Sequence, residues 1–283
     1  MSASNIPTYR RQRLGAELRR IRTTAGLPAE EAASLLGMDR GKIPNIESGT
    51  RTLSEERLRL LAANCGCTDS DYVEALLAMA SRRRRQWWDE YRDKLPPGML
   101  DISELEWHAI RLYTAQTVHV PGLLQTEDYA RSVFDSFLPK LPRLQVELRV
   151  AHRQGRAQVL AGDHPTPYVG YVHEAALRMQ FGGRSVARAQ LEHLVERGEE
   201  PHISLRVITF EHGIFPGAGH ALLYAEGPVP QLDTAQLDSA HGPGFVHTDE
   251  QLAQYRSHLE WMDGTALPER ESRDFMHAIA KQL

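Results

Sequence analysis

The chain has 283 residues, of which 41% are hydrophobic and 25% charged, with a formal net charge of −4. This composition is typical of a globular protein with core enough for one large domain or two smaller ones. No run of about 18 apolar residues occurs, and the N-terminal MSASNIPTYRRQR lacks the apolar segment of a secretory signal. We therefore expect a cytoplasmic protein that makes no membrane contact.

Charge is distributed unevenly along the chain. Residues 1–88 carry 15 Lys and Arg against 10 Asp and Glu, so the remainder is acidic. A basic N-terminal third is expected when only one domain meets nucleic-acid phosphate. The two cysteines, Cys65 and Cys67, are too close for an easy disulfide and two ligands short of a zinc site, so we expect no metal.

Five short helices are predicted in the first 80 residues. Apolar spacing and helix-ending glycines place two of them before Gly37, and Asp39 is expected to cap a third that stops at Gly49. Ser54 is the expected N-cap of the fourth, and Asp69 or Ser70 that of the fifth. Residues 1–80 should therefore form one compact all-helical domain.

An Arg- and Trp-rich linker is predicted over residues 81–98. The segment SRRRRQWWDEYRDKL is expected to continue as a helix, which LPPGML then breaks. Four consecutive arginines surround such a helix and cannot all face one partner. The run is either a solvated linker helix or an auxiliary phosphate contact, with Arg82 as the candidate.

Residues 99–283 change in pattern and predict an α+β domain. Helices are expected over 103–117, 126–137, 142–161, 249–262 and 268–281, and strands over 167–172, 203–210, 220–226 and 229–237. The last three strands follow one another too closely for helical crossovers. We therefore expect them to form an antiparallel meander within a mostly antiparallel sheet.

The stretch EEAASLLGMDRGKIPNIESG, residues 30–49, has the features of a helix-turn-helix. It places the small Ala33 where two helices cross, Gly37 at the turn, and apolar residues at the spacing that holds the crossing angle. Arg40, Lys42 and Asn45 are then left on the outward face for the major groove. Arg suits guanine and Asn suits adenine, while Lys can reach a base or a phosphate.

The whole pattern, A-x-x-L-G-M-x-x-x-x-I-x-x-I-E-x-G, resembles the lambda-repressor-like or XRE helix-turn-helix family over residues 10–80. The resemblance implies double-stranded DNA as a partner, and hence association with the nucleoid, and an ion pair between Arg22 and Glu47. The cations around the motif, Arg10, Arg11, Arg51 and Arg82, are expected to bind phosphate.

Three departures from that family narrow the reading surface. Pro28-Ala29 replaces the family's usual Ser-Gln, Gly41 removes a side chain, and Pro44 lacks a backbone N–H within the reading helix. Gly41 also lowers helix propensity by about 1 kcal/mol. Arg40 and Asn45 are expected to retain base specificity, although a domain that has lost specific DNA binding remains the alternative.

No catalytic set is evident in the second domain. The 13 histidines are scattered, and none stands in a zinc-protease motif with a third ligand. We therefore expect no enzyme and no cofactor. An enzyme is the least favoured of three hypotheses, after a DNA-binding regulator and a protein-binding module with a degenerate DNA domain.

Several segments resemble the module that follows the XRE domain in actinobacterial WhiJ-like regulators. They are WWDEY (87–91), VPGLLQTEDYAR (120–131), the R-x-x-H-R-Q run (149–154), HEAALR (173–178) and LRVITF with the loop HGIFPGAGH after it. The resemblance implies a transcriptional regulator in an antitoxin-like or developmental role, working with a small partner protein that is often encoded nearby. A single domain with few base-reading side chains contacts few base pairs. We therefore also expect a homodimer assembled mainly through residues 95–283.

Overall fold

A computed structural model describes residues 6–81, 85–216, 219–239 and 241–283. The chain divides into two compact units. One consists of Met1–Asp89 with Pro96–Glu104, and the other of Glu90–Leu95 with Leu105–Leu283.

The first unit is helical, as predicted. Its described residues up to Ser81 form five α-helices: α1 (Tyr9–Thr24), α2 (Ala29–Leu35), α3 (Lys42–Glu47), α4 (Glu55–Asn64) and α5 (Ser70–Ala80). Leu18, Leu58 and Leu76 are each at most 2% exposed, because apolar residues recur on one side of each helix. The side chain of Asp69 caps α5 by accepting from the Tyr72 amide.

The segment after α5 differs from the prediction. Trp87–Tyr91 is a 3-10 turn, so the expected continuous helix is wrong for residues 85–95. The Pro-Gly pair expected to break a helix begins one instead, since α6 spans Pro97–His108. Proline suits a first helical position because its missing N–H would find no partner there.

One mixed sheet organises the second unit. Among the described residues it has six strands: β1 (Arg111–Gln116), β2 (Tyr168–His173), β3 (Ile203–Ile208), β4 (Leu222–Glu226), β5 (Thr234–Ser239) and β6 (Gly242–Val246). The strand order is β3-β2-β1-β4-β5-β6. The pairs β1–β2 and β2–β3 are parallel, and the other three pairs are antiparallel. This confirms an α+β fold with a mostly antiparallel sheet.

Three strand predictions were wrong in detail. Residues 111–116, expected in a helix, form the central strand β1, whose burial on both faces removes the alternation that marks a strand. The antiparallel meander is β4-β5-β6, whereas β3 lies at the opposite edge beside β2. The strand expected over 229–237 begins only at Thr234, because Pro230–Leu232 forms a 3-10 turn before it.

The remaining helices pack around this sheet. They are α7 (Glu127–Asp135), α8 (Arg143–Arg156), α9 (Glu174–Arg178), α10 (Arg184–Arg197), α11 (Asp249–Thr265) and α12 (Glu269–Gln282). Leu252, Leu259 and Met262 of α11 join one apolar cluster with inward residues of the sheet. None of the helices in the described part of the chain is long and apolar enough to cross a membrane.

Candidate nucleic-acid interface

The turn between α2 and α3 fixes the helix that could read DNA. The amide of Met38 donates to the Ala33 carbonyl at 3.0 Å, and that of Gly37 to the Ser34 carbonyl at 3.1 Å. This Schellman pattern closes α2. Ile43 and Ile46 are 4% and 3% exposed, so they anchor α3 and leave its opposite side to solvent.

Helix α3 begins later than the sequence suggested. Gly41 occupies the N-cap position, and Asp39 instead accepts from the Gly41 amide at 2.8 Å in the preceding turn. Arg40 therefore lies in that turn rather than on the helix. Pro44 is the third residue of α3, where an amide has no partner within the helix, so the proline costs no hydrogen bond.

The three residues predicted to read bases lie close together around the start of α3. Arg40 and Asn45 are exposed and Lys42 is half-buried. Arg40 Nη1 lies 3.4 Å from Glu30 Oε2, with both side chains 74% exposed. Asn45 Nδ2 donates to the Gly41 carbonyl at 3.1 Å. Exposed contacts of this kind contribute about 0–1 kcal/mol, so DNA could replace them.

Two of the predicted phosphate cations flank the other end of α3. Gly49 follows the helix with φ +77°, and a Cβ there would lie 2.6 Å from the Arg11 carbonyl oxygen. Only glycine permits both this conformation and this approach. Arg11 and Arg51 are both exposed, and the Arg51 amide donates to the Asn45 carbonyl at 2.9 Å. Arg10 is half-buried beside Arg11.

The fourth predicted phosphate contact, Arg82, lies outside the described residues. The structure therefore places Arg11 and Arg51 beside the reading helix, and the phosphate contact of Arg82 stays a prediction.

A bidentate ion pair joins α1 to the end of α3. Arg22 Nε donates to Glu47 Oε1 at 2.6 Å and Nη2 to Oε2 at 3.3 Å, with the two side chains 13% and 14% exposed. Arg22 Nη1 also donates to the Leu27 carbonyl at 2.7 Å. The structure thus brings together the two residues that the family resemblance paired, and this contact fixes the angle of α3.

Sequence reasoning missed a second contact between the same helices. A Cβ on Gly15 would lie 2.5 Å from the Glu47 carbonyl oxygen and 2.6 Å from that of Ile46. Helix α1 therefore packs directly on the backbone of α3. The available signal was a glycine inside a predicted helix, which often marks a close approach.

Buried polar groups also connect α1 to α5. Glu17 is paired with Arg13 at 3.1 Å and accepts from the Tyr72 hydroxyl at 2.5 Å. Arg20 Nε donates to the same carboxylate at 2.9 Å. Burial and the hydrogen bond to Glu17 raise the pKa of Tyr72, so the phenol stays protonated. These contacts hold α1 in place against α5, and α1 in turn supports α3 through Gly15 and Arg22.

In the second unit, the segments that carried the resemblance meet one another. Gln125 donates to the Val120 carbonyl at 2.9 Å and accepts from Arg153 Nη1 at 2.8 Å. The backbone carbonyl of Gln125 accepts from Gln154 Nε2 at 3.1 Å. Burial and the neighbouring Arg156 lower the pKa of Arg153 to about 9. The VPGLLQT and R-x-x-H-R-Q segments are therefore structural neighbours.

A second pair of these segments is joined through Glu174 of HEAALR. Its carboxylate accepts from the Phe210 amide at 2.9 Å, at the end of LRVITF, and from Arg178 at 2.7 Å. Within the described ranges, no group of three or more His, Cys, Asp or Glu side chains could hold a metal ion. The hydrogen bonds of Gln125 and Glu174 thus join these segments to one another within the second unit.

Comparisons with known proteins match both units. A family model described as a helix-turn-helix domain matches residues 13–76, which supports a DNA-binding regulator. A model described as a domain of unknown function, DUF5753, matches residues 99–278. Searches of curated proteins and of solved structures gave no match. Because the second model covers more than half of the 283 residues, the chain belongs to the DUF5753 family.

Proposed function

We propose that the chain is a sequence-specific DNA-binding transcriptional regulator of the XRE type. The supporting observation is the outward side of α3 and of the turn before it, where Arg40 and Asn45 are exposed and Lys42 is half-buried, while α1 packs on the inner side. Arg and Asn in this position can form bidentate hydrogen bonds to guanine and adenine. Arg11 and Arg51 would hold the flanking phosphates.

The second unit has a different proposed role. Residues 1–80 form the DNA-binding domain, 81–98 the linker, and 99–283 a regulatory domain that assembles a homodimer and binds a partner or signal. The WhiJ-like resemblance supports a small partner protein encoded nearby, and two-fold assembly would present two reading helices about one helical turn apart. We also propose that the chain catalyses no reaction.

One set of observations favours a second candidate, an antitoxin-like protein-binding module with a weakened DNA domain. Helix α3 has only six residues, Gly41 offers no side chain, and Arg40 contacts Glu30 within the protein. Such a module would retain electrostatic affinity for DNA and lose preference for sequence.

A gel-shift titration distinguishes the two candidates. The full chain is titrated against the DNA upstream of its own gene and against a scrambled duplex, over a series of salt concentrations. The regulator should prefer its upstream DNA by more than about tenfold, as specific binders do by larger factors. Equal affinity for both duplexes at every salt concentration would favour the module. Sedimentation at micromolar concentration tests the homodimer.

A further inference from the structure

A cleft of about 740 Å³ lies between α11 and the sheet of the second unit. Its floor includes tyrosines from three neighbouring strands, Tyr113, Tyr171 and Tyr224, and its walls include Val169 and Leu259. The Tyr113 and Tyr224 rings meet edge to face, with centroids 6.3 Å apart. Clefts of this size with aromatic and apolar lining commonly bind small molecules.

The polar groups on this floor are held by one another. The Tyr224 hydroxyl donates to Asp233 at 2.7 Å and accepts from Arg256 at 3.0 Å. Asp263 accepts from the Tyr171 hydroxyl at 3.1 Å and pairs with Arg206 at 2.5 Å. Two arginines thus offset two aspartates, and the floor is organised before any ligand arrives.

Three further carboxylates, those of Glu226, Glu260 and Glu269, line the same cleft. Arg111 lies opposite Glu226 on the neighbouring strand and offsets part of its charge, whereas Glu260 and Glu269 make no ion pair with any residue in the described ranges. The cleft therefore has an excess of negative charge beside aromatic rings. An anionic ligand would be repelled here, whereas a cation gains from the carboxylates and from the half-buried ring of Tyr113.

We infer that this cleft binds a small organic cation, in which an ammonium or guanidinium group is attached to an apolar or aromatic body. The cationic group would donate hydrogen bonds to the carboxylates of Glu260 and Glu269. The body would pack against Tyr113 and Val169. This inference deepens the proposed function by naming the chemical class of the signal, and rests on that function only for the consequence of binding.

Calorimetric titration of the full chain, without DNA, tests the inference. The probes are tyramine, agmatine and 4-hydroxyphenylacetate, which matches tyramine in size but is an anion. One variant removes the three cleft charges through Glu226→Gln, Glu260→Gln and Glu269→Gln. A matched control removes the same charge from exposed glutamates outside the cleft, through Glu196→Gln, Glu211→Gln and Glu250→Gln.

At least one amine should bind the wild-type chain with a Kd of about 1 mM or tighter. The cleft variant should bind it at least about tenfold more weakly, while the control stays within about twofold and the anion does not bind. Absence of amine binding up to about 10 mM, equal binding of the anion, or full affinity in the cleft variant would overturn the inference. Amine binding by a chain that shows no DNA preference would leave the inference standing and remove the proposed function.

Discussion

Arginines serve opposite purposes in the two units. Arg40, in the turn before α3, is 74% exposed and contacts an equally exposed Glu30 at 3.4 Å. Arg156, at the end of α8, is 11% exposed and donates two hydrogen bonds of 2.6 and 2.8 Å to Glu106, which is 1% exposed. The same side chain is thus available to a ligand in one place and fixed within the fold in the other.

Burial therefore determines what an arginine can do in this chain. An exposed pair contributes little and exchanges with water or phosphate, whereas breaking a buried pair leaves an unpaired charge in the interior. The Arg22 pair is intermediate: Arg22 is 13% exposed, close to Arg156, but its partner Glu47 is 14% exposed, whereas Glu106 is 1% exposed.

The largest expected effect follows from removing the charge of Glu106. Glu106→Gln leaves the Arg156 guanidinium buried without its counter-charge, which should lower the free energy of unfolding of the second unit by about 3–5 kcal/mol. Urea denaturation measures this loss. Glu192→Gln, which breaks the exposed pair with Arg188, is the control and should change stability by less than about 0.5 kcal/mol. Similar losses in both variants would contradict the role given to burial.

The next effect concerns the support of the reading helix. Arg22→Gln leaves the half-buried Glu47 with only the exposed Arg19, whose Nε lies 4.0 Å from Glu47 Oε2, and should cost about 2 kcal/mol of stability in the first unit. DNA affinity should fall as well, because α3 loses a fixed angle. Thermal unfolding and gel shift together measure both losses. A variant with unchanged unfolding temperature would show that the Arg22–Glu47 pair does not support α3.

A smaller effect is expected on the outward face. Arg40→Ala should cost about 1–3 kcal/mol on the operator and relax the preference at one base position, if Arg40 holds a guanine. Arg51→Ala should instead weaken binding to every sequence and reduce the salt slope by about 1. Competition binding against operator and scrambled duplexes separates the two patterns. If both variants lose affinity equally on all sequences, Arg40 is not a specificity residue.

The smallest expected effect comes from the acidic neighbour of Arg40. Glu30→Gln frees the guanidinium and should tighten DNA binding by less than about 1 kcal/mol. Glu31→Gln is a matched control, because it removes the same charge from the first turn of α2. The two variants are compared in the same gel-shift assay. An equal gain from both would mean that only overall charge matters.

Local features of the fold could be predicted from the sequence. The spacing of apolar residues and the capping residues predicted the five helices and the turn at Gly37, with helix ends correct to within a few residues. Helix α5 begins after Asp69, one of the two caps expected there. The start of α3 could not be predicted in the same way. Asp39 is a common N-cap residue, yet here its side chain stabilises a turn two residues earlier.

Long-range features could not be predicted. Strand β4 pairs with β1 across more than 100 residues of sequence, so spacing along the chain does not reveal the order of the sheet. The backbone approach of Gly15 to α3 depends on a crossing that only the fold defines. The cleft likewise combines residues of four strands with α11, and no single stretch of sequence marks it.

The central claim is that the face of α3 reads a DNA sequence, and one measurement tests it most directly. Wild-type chain bound to labelled upstream DNA is challenged with unlabelled operator and with scrambled duplex at physiological salt. We predict that the operator competes at least about tenfold better than the scrambled duplex. Equal competition by the two duplexes would contradict the claim, and would mean that α3 retains the helix-turn-helix fold without its reading function.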